Sequence, residues 1–374
     1  MYISNDQLGQ INNIISNLEI SANETLLLMI GEDSTLDFDW LFEQLNSMEI
    51  SFMGGIFPGI IHGKNNFKDG AILKILPITS KPIMITGLEN NDFEISRLLE
   101  HLEIGNTQIT LFTLIDGLTS NVATYLQKLY HHYGNSVKYL GAGAGSLSLV
   151  QQPCIFSNEG FFQDAAIICL VNLKVSLGVE HGWERLEGPI VATRVEKNVI
   201  HELNWKNAFE VYKEIAEKDS GLTFNDENFF DIAKCYPFGI FREEREDLVR
   251  DPISVNENGS LICVGEVPEN TVLYILKGKN NALIQSAKIA IESSISHLTE
   301  DIKHTIIIDC ISRTLFLEEE FPKELEAISE AMPDSDEKES LPQGVLSLGE
   351  ISSSGNGHLE FYNKTLVIGV LTNP

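Results

Sequence analysis

The sequence predicts a mixed α/β (α+β) fold of two intimately packed domains, with mixed sheets and a repeated strand–helix–strand–hairpin unit. Three observations carry that expectation. The first is three short apolar runs without alternation, "TLLLMIG" (Thr25–Gly31), "ITLFTLIDG" (Ile109–Gly117) and "HTIIIDC" (His304–Cys310). Strands covered on both faces read in this way. The second is that helical periodicity follows each run. The third is that a second short strand running into glycine comes next, then a hairpin-like return.

In order, the helices are "DFDWLFEQLNSM", "NVATYLQKLYHHYG" and "PKELEAISEAM", the last beginning with the proline that suits a first helical turn. The second strands are "ISFMGG", "VKYLGAGAG" and "GVLSLGE", the third preceded by the polar insert "PDSDEKES". The return segments are "FKDGAILKIL", "FFQDAAIICLV" and "LEFYNKTLVIGVL", the first two sharing Phe67-x-Asp69 and Phe162-x-Asp164. Agreement in order and character points to an internal duplication. A domain boundary is expected near "HELNWKNAFEVYKE", giving units over 20–205 and 206–374.

Composition narrows the class of function. The chain has 374 residues, 43% hydrophobic and 21% charged, the balance of a folded protein with a substantial core. Its net charge of −28 argues against a nucleic-acid or anionic-membrane partner, since both need a basic face. Cys154, Cys169, Cys235, Cys263 and Cys310 show no CxxC pair and no repeated spacing, so neither a disulfide framework nor a zinc site is expected. The start lacks a basic segment followed by an apolar one, and no apolar run approaches the ~20 residues that span a bilayer. A cytoplasmic location is the expectation.

"GAGAGSLS" (Gly141–Ser148) stands at the exit of the second unit's second strand, where the first unit has "GGIFPG". Ser146 replaces the third glycine of a dinucleotide fingerprint, no Gly-Lys-Ser/Thr follows, and Pro153 leads toward a strand rather than a helix N-terminus. Two readings stay open: a tight turn with closely packed backbone, and a pocket rim lined by amides.

Several motifs occur together in an order similar to that of the FIST family of bacterial sensory proteins. They are "DGLTSN" (Asp116–Asn121), "LGAGAGS", "FFQDAAI", "EHGWERLEGP" (Glu180–Pro189), "VATRVEKNVIHEL" with "AFEVY", then "YPFGI", "LVRDPI", "GEVPENT", "IDCISR", "LGEIS" and "FYNKTL". The resemblance runs from about residue 20 to the end. It implies an N-terminal and a C-terminal FIST domain, small-ligand sensing, and signalling through a separate protein. The chain looks most similar to a stand-alone type held to bind haem b, sense nitric oxide and regulate a histidine kinase in trans. A homodimer is compatible with that reading.

Candidate residues divide by ligand. A haem needs an axial donor and an apolar slot. Among nine histidines, His131 and His132 fall late in a helix, His62 and His358 in glycine-rich turns, and His201 between apolar neighbours. His181, beside Gly182 and Trp183, is the axial candidate and hence the metal ligand, with Gly141, Gly143 and Gly145 as backbone lining. Its competing reading is a hydrogen-bonded loop histidine above a packed Trp183. Cys235 is a weaker donor and reads more simply as a buried thiol. A small amino-acid-like ligand would instead use the guanidinium groups of Arg250 and Arg313, with Asp251 or Glu350 for an ammonium and Cys310 nearby. The competing reading pairs those arginines internally with Asp251 or Glu350. An enzyme would need an activated Cys310 or Ser146, and neither has an assignable base. The acidic run "LEEEFPKELE" reads as a helix start with a solvated face. Sensing without catalysis is therefore the expected function, through ligand-dependent populations.

Overall fold

The structure is a computed structural model, and it describes residues 1–374 apart from 91–92, 94, 100–108, 226, 244, 334–340 and 355–357. The polar insert after the third helix falls almost entirely outside the described residues.

The first unit runs through β1 (Glu24–Gly31), α1 (Phe38–Ser47), β2 (Phe52–Phe57), a hairpin of β3 (Gly59–His62) and β4 (Asn65–Phe67), and β5 (Ala71–Pro77). The second repeats this order in β6 (Ile109–Asp116), α2 (Val122–Tyr133), β7 (Val137–Ala144), the hairpin β8 (Ile155–Ser157) and β9 (Gly160–Phe162), and β10 (Ala165–Val171). Then come β11 (Lys174–Glu180), β12 (Glu184–Glu196), β13 (Val199–Leu203), α3 (Ala208–Ser220), β14 (Phe238–Ile240), β15 (Leu248–Val255), β16 (Leu261–Val264), β17 (Val272–Lys277) and α4 (Asn280–Ile295). The third unit closes the chain with β18 (Ile302–Cys310), α5 (Ile311–Leu317), α6 (Phe321–Ala331), β19 (Gln343–Ser347), the hairpin β20 (Glu350–Ser354) and β21 (His358–Tyr362), and β22 (Leu366–Thr372).

Each unit pairs its first two strands in parallel, β1 with β2, β6 with β7 and β18 with β19. Each return strand lies antiparallel on the first, β5 on β1, β10 on β6 and β22 on β18. The hairpins do not stay at home. Unit one sends β3 to β19 of unit three, unit two sends β8 to β2 of unit one, and unit three sends β20 to β7 of unit two. The exchange is cyclic and closes after three steps, so the repeats form a pseudo-threefold ring from one chain.

Sheet faces follow from the side-chain period of two. Leu27 and Met29, Phe112 and Leu114, and Ile306 and Ile308 point inward into one shared core. Their neighbours point outward, Leu26, Leu28 and Ile30 against α1, and Leu111 and Ile115 against α2. Ile307 packs outward with α4 and α6. The three apolar runs lack alternation because both faces of each are covered.

Between units two and three, β12, β17, β14, β15, β16 and β13 pair antiparallel in that order, and β13 pairs back with β12. This closes a six-stranded barrel capped by Tyr212 and Ala216 of α3. Sequence reading had not anticipated the barrel. Of "GAGAGSLS", read as the exit of a strand with a tight turn or an amide-lined rim both open, Gly141 and Gly143 lie inside β7 in mid-sheet. Only Gly145 leaves the strand, at φ +141°. His62 likewise ends a strand rather than occupying a turn. No helix among the described residues is long and apolar enough to cross a membrane.

Candidate functional site

A cavity of about 290 Å³ opens where the ring of repeats meets the barrel. One wall is the turn after β6, Gly117 to Ser120, leading into Val122 and Ala123 of α2. The turn is shaped by Asp116, whose carboxylate accepts the Leu118 N–H (3.0 Å), the Asp164 N–H (2.8 Å) and the Gln151 side-chain amide (2.9 Å). Thr119 donates to Asp164 at 2.7 Å and completes the corner. The opposite wall is β15, β16 and the segment after it, with Arg250, Ile253, Val264 and Glu266. Lys197, Asn198 and Phe361 close the sides. The cavity thus sits at the carboxyl end of a buried strand, where open α/β sheets place ligands. Apolar walls with a few convergent polar groups suit a small molecule.

Arg250 is the unusual member. It is 6% exposed and forms no ion pair with a carboxylate among the described residues. Its Nε donates to the Glu266 carbonyl (2.7 Å), and its Nη1 to the carbonyls of Val249 (2.9 Å) and Phe361 (3.1 Å) and to Asn363 Oδ1 (3.3 Å). Nη2 makes no hydrogen bond among the described residues. Glu360, whose charge Arg250 feels, is itself engaged by Arg242 at 2.5 Å. Burial pulls the guanidinium down to about 10, still fully charged at neutral pH. A buried cation held only by carbonyls is costly unless an anion completes it.

Asp251, the next residue of β15, points the other way. Its Oδ2 lies 3.1 Å from Lys364 Nζ and accepts the Ser312 hydroxyl at 3.0 Å. Lys364 also donates to the Lys234 carbonyl and sits over the Trp183 ring, 4.8 Å from its centre. Nearby, the fully buried Arg313 makes a fork with Glu324, Nε to Oε1 at 3.0 Å and Nη2 to Oε2 at 2.9 Å. Its Nη1 donates to the His181 carbonyl at 2.6 Å. Glu350 accepts from Ser347 (2.7 Å) and from the Thr365 N–H (3.3 Å), yet burial pushes its carboxyl up to about 8. Burial likewise pushes up the Cys310 thiol and the Asp309 carboxyl.

The predicted residues therefore fall into two groups. Arg250 lines the cavity, while Asp251, Cys310, Arg313 and Glu350 belong to a sealed network behind it. The internal pairing of Arg313 is real, but its partner is neither Asp251 nor Glu350. The carboxylates that pair with it are Glu324, from the run read as a solvated helix face yet 0% exposed, and Asp309, 3.3 Å from its Nε. Sequence reasoning also passed over Thr119, Lys197 and Glu266 as cavity residues. The signal was present, since "DGLTSN", "VATRVEKN", "LVRDPI", "GEVPENT" and "FYNKTL" all converge there.

His181 tests the haem. Its ring accepts the Trp183 N–H at Nδ1 (2.8 Å), so the neutral ring carries its proton on Nε2. Burial holds the ring neutral, and Nε2 is sealed from solvent 3.6 Å from Glu246 Oε2. Neither nitrogen presents a lone pair to an incoming iron. Trp183 is packed edge-on against Phe316, ring centres 4.9 Å apart. Gly141 and Gly143 are locked in the sheet, where their backbone pairs with neighbouring strands. These residues do not fit a haem. Among the described residues no group of three or more His, Cys, Asp or Glu is arranged to hold a metal ion. Cys235 is a half-buried free thiol, raised by burial. Ser146 is buried, with its hydroxyl donated to Ser148 at 3.0 Å.

A ring of three hairpin-exchanging α/β repeats, joined to an antiparallel barrel over one cationic cavity, defines a two-part mixed α/β protein. The FIST N domain matches residues 25–206 and the FIST C domain residues 208–353, so the chain belongs to the FIST family. FIST domains are associated with sensing in signal transduction. No curated protein matches the chain in a sequence search.

Proposed function

We propose that this chain is a non-catalytic sensor of a small carboxylate-bearing molecule, amino-acid-like in size, which binds in the Arg250 cavity. The observation that carries the reading is the buried guanidinium of Arg250, without a carboxylate partner, on the wall of a cavity of about 290 Å³. A ligand carboxylate would meet the free Nη2 and, at the side of the cavity, Lys197, supplying the anion that the fold omits. Glu266 and the surrounding carbonyls suit an ammonium group. Ligation would favour the closed approach of the Asp116–Asn121 turn to β15, and a partner would read that population. A histidine kinase in trans is the partner that the resemblance implies. The haem and nitric-oxide version of sensing draws on the resemblance alone and meets no open nitrogen at His181.

The test is thermal unfolding against a panel of small carboxylates and amino acids. A ligand at a hundredfold excess over its Kd should stabilise the protein by about 2.7 kcal/mol. Arg250→Leu should abolish the shift while the protein stays folded. Haem added to the protein should give a Soret band indifferent to His181→Ala. Stabilisation that survives Arg250→Leu would sink the assignment, and a Soret band lost with His181 would restore the haem.

A further inference from the structure

Away from the cavity, the hairpin between β13 and the short strand Lys206–Asn207 carries an expensive residue. Leu203 pairs with Lys206, so Asn204 and Trp205 form a two-residue loop, both left-handed at φ +50° and +60°. Loops of this kind ordinarily place glycine second, because a side chain there strains the backbone. Here the second residue is a tryptophan with 78% of its surface in water.

Next to the loop runs a groove of about 530 Å³ between β12 and α3. Leu186, Pro189 and Ile190 form one side, Val211 and Ile215 the other, and Asn204 closes the end beside Trp205. Its rim carries both signs of charge. Glu217 and Asp219 are engaged by Lys213 and Lys277. By contrast Glu187, Glu214 and Lys218 form no ion pair among the described residues. A protruding aromatic, a groove of mixed polarity with aliphatic side chains on both sides, and unpaired charges of both signs thus lie on one patch.

We propose that this patch is an isologous interface with a second copy of the chain, Trp205 of each copy entering the groove of the other. Two-fold symmetry brings a patch against itself, so a surface holding its own knob, hole and counter-charges fits that partner. Glu214 of one copy then faces Lys218 of the other. Net charge supports the choice. Two chains of charge −28 repel over most of their surfaces, and they approach most readily where a local patch carries both signs. A buried aromatic anchor at the centre of such a contact carries much of its energy.

Sedimentation velocity over a concentration series tests this, in moderate salt that screens the general repulsion. A dimer of the 41.7 kDa chain is expected, with the exposed-tryptophan emission shifting to shorter wavelength as it forms. Trp205→Gly should weaken dimerisation about tenfold or more while leaving monomer unfolding unchanged or raised, since glycine suits the loop. Glu214→Lys and Lys218→Glu should each weaken the dimer, and the double exchange should restore it. A chain that stays monomeric at every concentration overturns the proposal. So does a dimer indifferent to Trp205→Gly and to both charge reversals.

Discussion

At the scale of single residues, the glycines of "GAGAG" show how close approach is written into the chain. A Cβ on Gly141 would stand 2.2 Å from the Thr113 carbonyl oxygen and 2.6 Å from its methyl group. Thr113 cannot give way, because its hydroxyl bonds Tyr125 (2.7 Å) and the Ile167 carbonyl (3.0 Å) inside the sheet. Gly141→Ala should therefore cost about 2 kcal/mol or more, read as a lower denaturant midpoint at unchanged slope. Gly9→Ala is the contrast, with nothing within 4 Å of the added atom, and it should change stability by less than about 1 kcal/mol. A neutral Gly141→Ala would mean that β6 and β7 are not packed as described. The glycine rhythm made close packing legible in the sequence. It could not distinguish a turn from a strand, because the neighbour that forbids a side chain comes from β6, some 28 residues earlier. Glu324 was illegible for a related reason. Its burial depends on Arg313 arriving from α5, and a carboxylate in an acidic run carries no local mark of that.

At the scale of elements, the order strand, helix, strand, hairpin, strand could be read three times from hydrophobic period and turn residues. The destination of the hairpins could not. A hairpin with arms of three to five residues presents the same pattern whichever edge receives it. The barrel escaped for another reason. In β12 the burial alternates weakly along "ERLEGPIVATRVE", a pattern that also suits an exposed ribbon. Hairpin exchange has a measurable consequence. Residues 1–206 alone would leave β3 without β19 and β7 without β20, exposing two unpaired edges flanked by the apolar core. That fragment should aggregate, or lose near-ultraviolet dichroism while keeping far-ultraviolet signal, whereas the full chain should keep both signals. A monomeric, native-like 1–206 fragment would contradict the exchange.

At the scale of the whole molecule, buried ionisable groups of opposite kinds set a stability optimum. Burial lifts Glu350 from 4.5 to about 8. Burial together with Glu246 lifts Glu180 to about 7, and burial raises Asp251 and Asp309. The folded state binds more protons at these sites, so their stabilisation is complete below about 4.5 and is lost as pH rises through 7 to 8. The histidines act in the other direction. Burial and Lys74 lower His304 from 6.5 to about 3, and burial lowers His62 and His181. Their contribution is complete above 6.5 and is lost as pH falls toward 3. Between 6.5 and 8 only the acids change, with a slope of up to about 1.4 kcal/mol per pH unit for each. Stability should therefore peak on the acid side of neutrality and decline toward pH 8. General charge repulsion gives a decline of the same sign, so the wild-type profile alone does not isolate the buried acids. Glu350→Gln separates the two. The amide cannot ionise, so the variant should lose part of the decline between 6.5 and 8, at a cost of about 1 kcal/mol for the bond from Thr365. Denaturant unfolding from pH 4 to 9 would read both profiles. An unchanged slope in Glu350→Gln would mean that this carboxyl is already ionised inside the folded chain, and that the sealed network carries one more negative charge than its geometry implies.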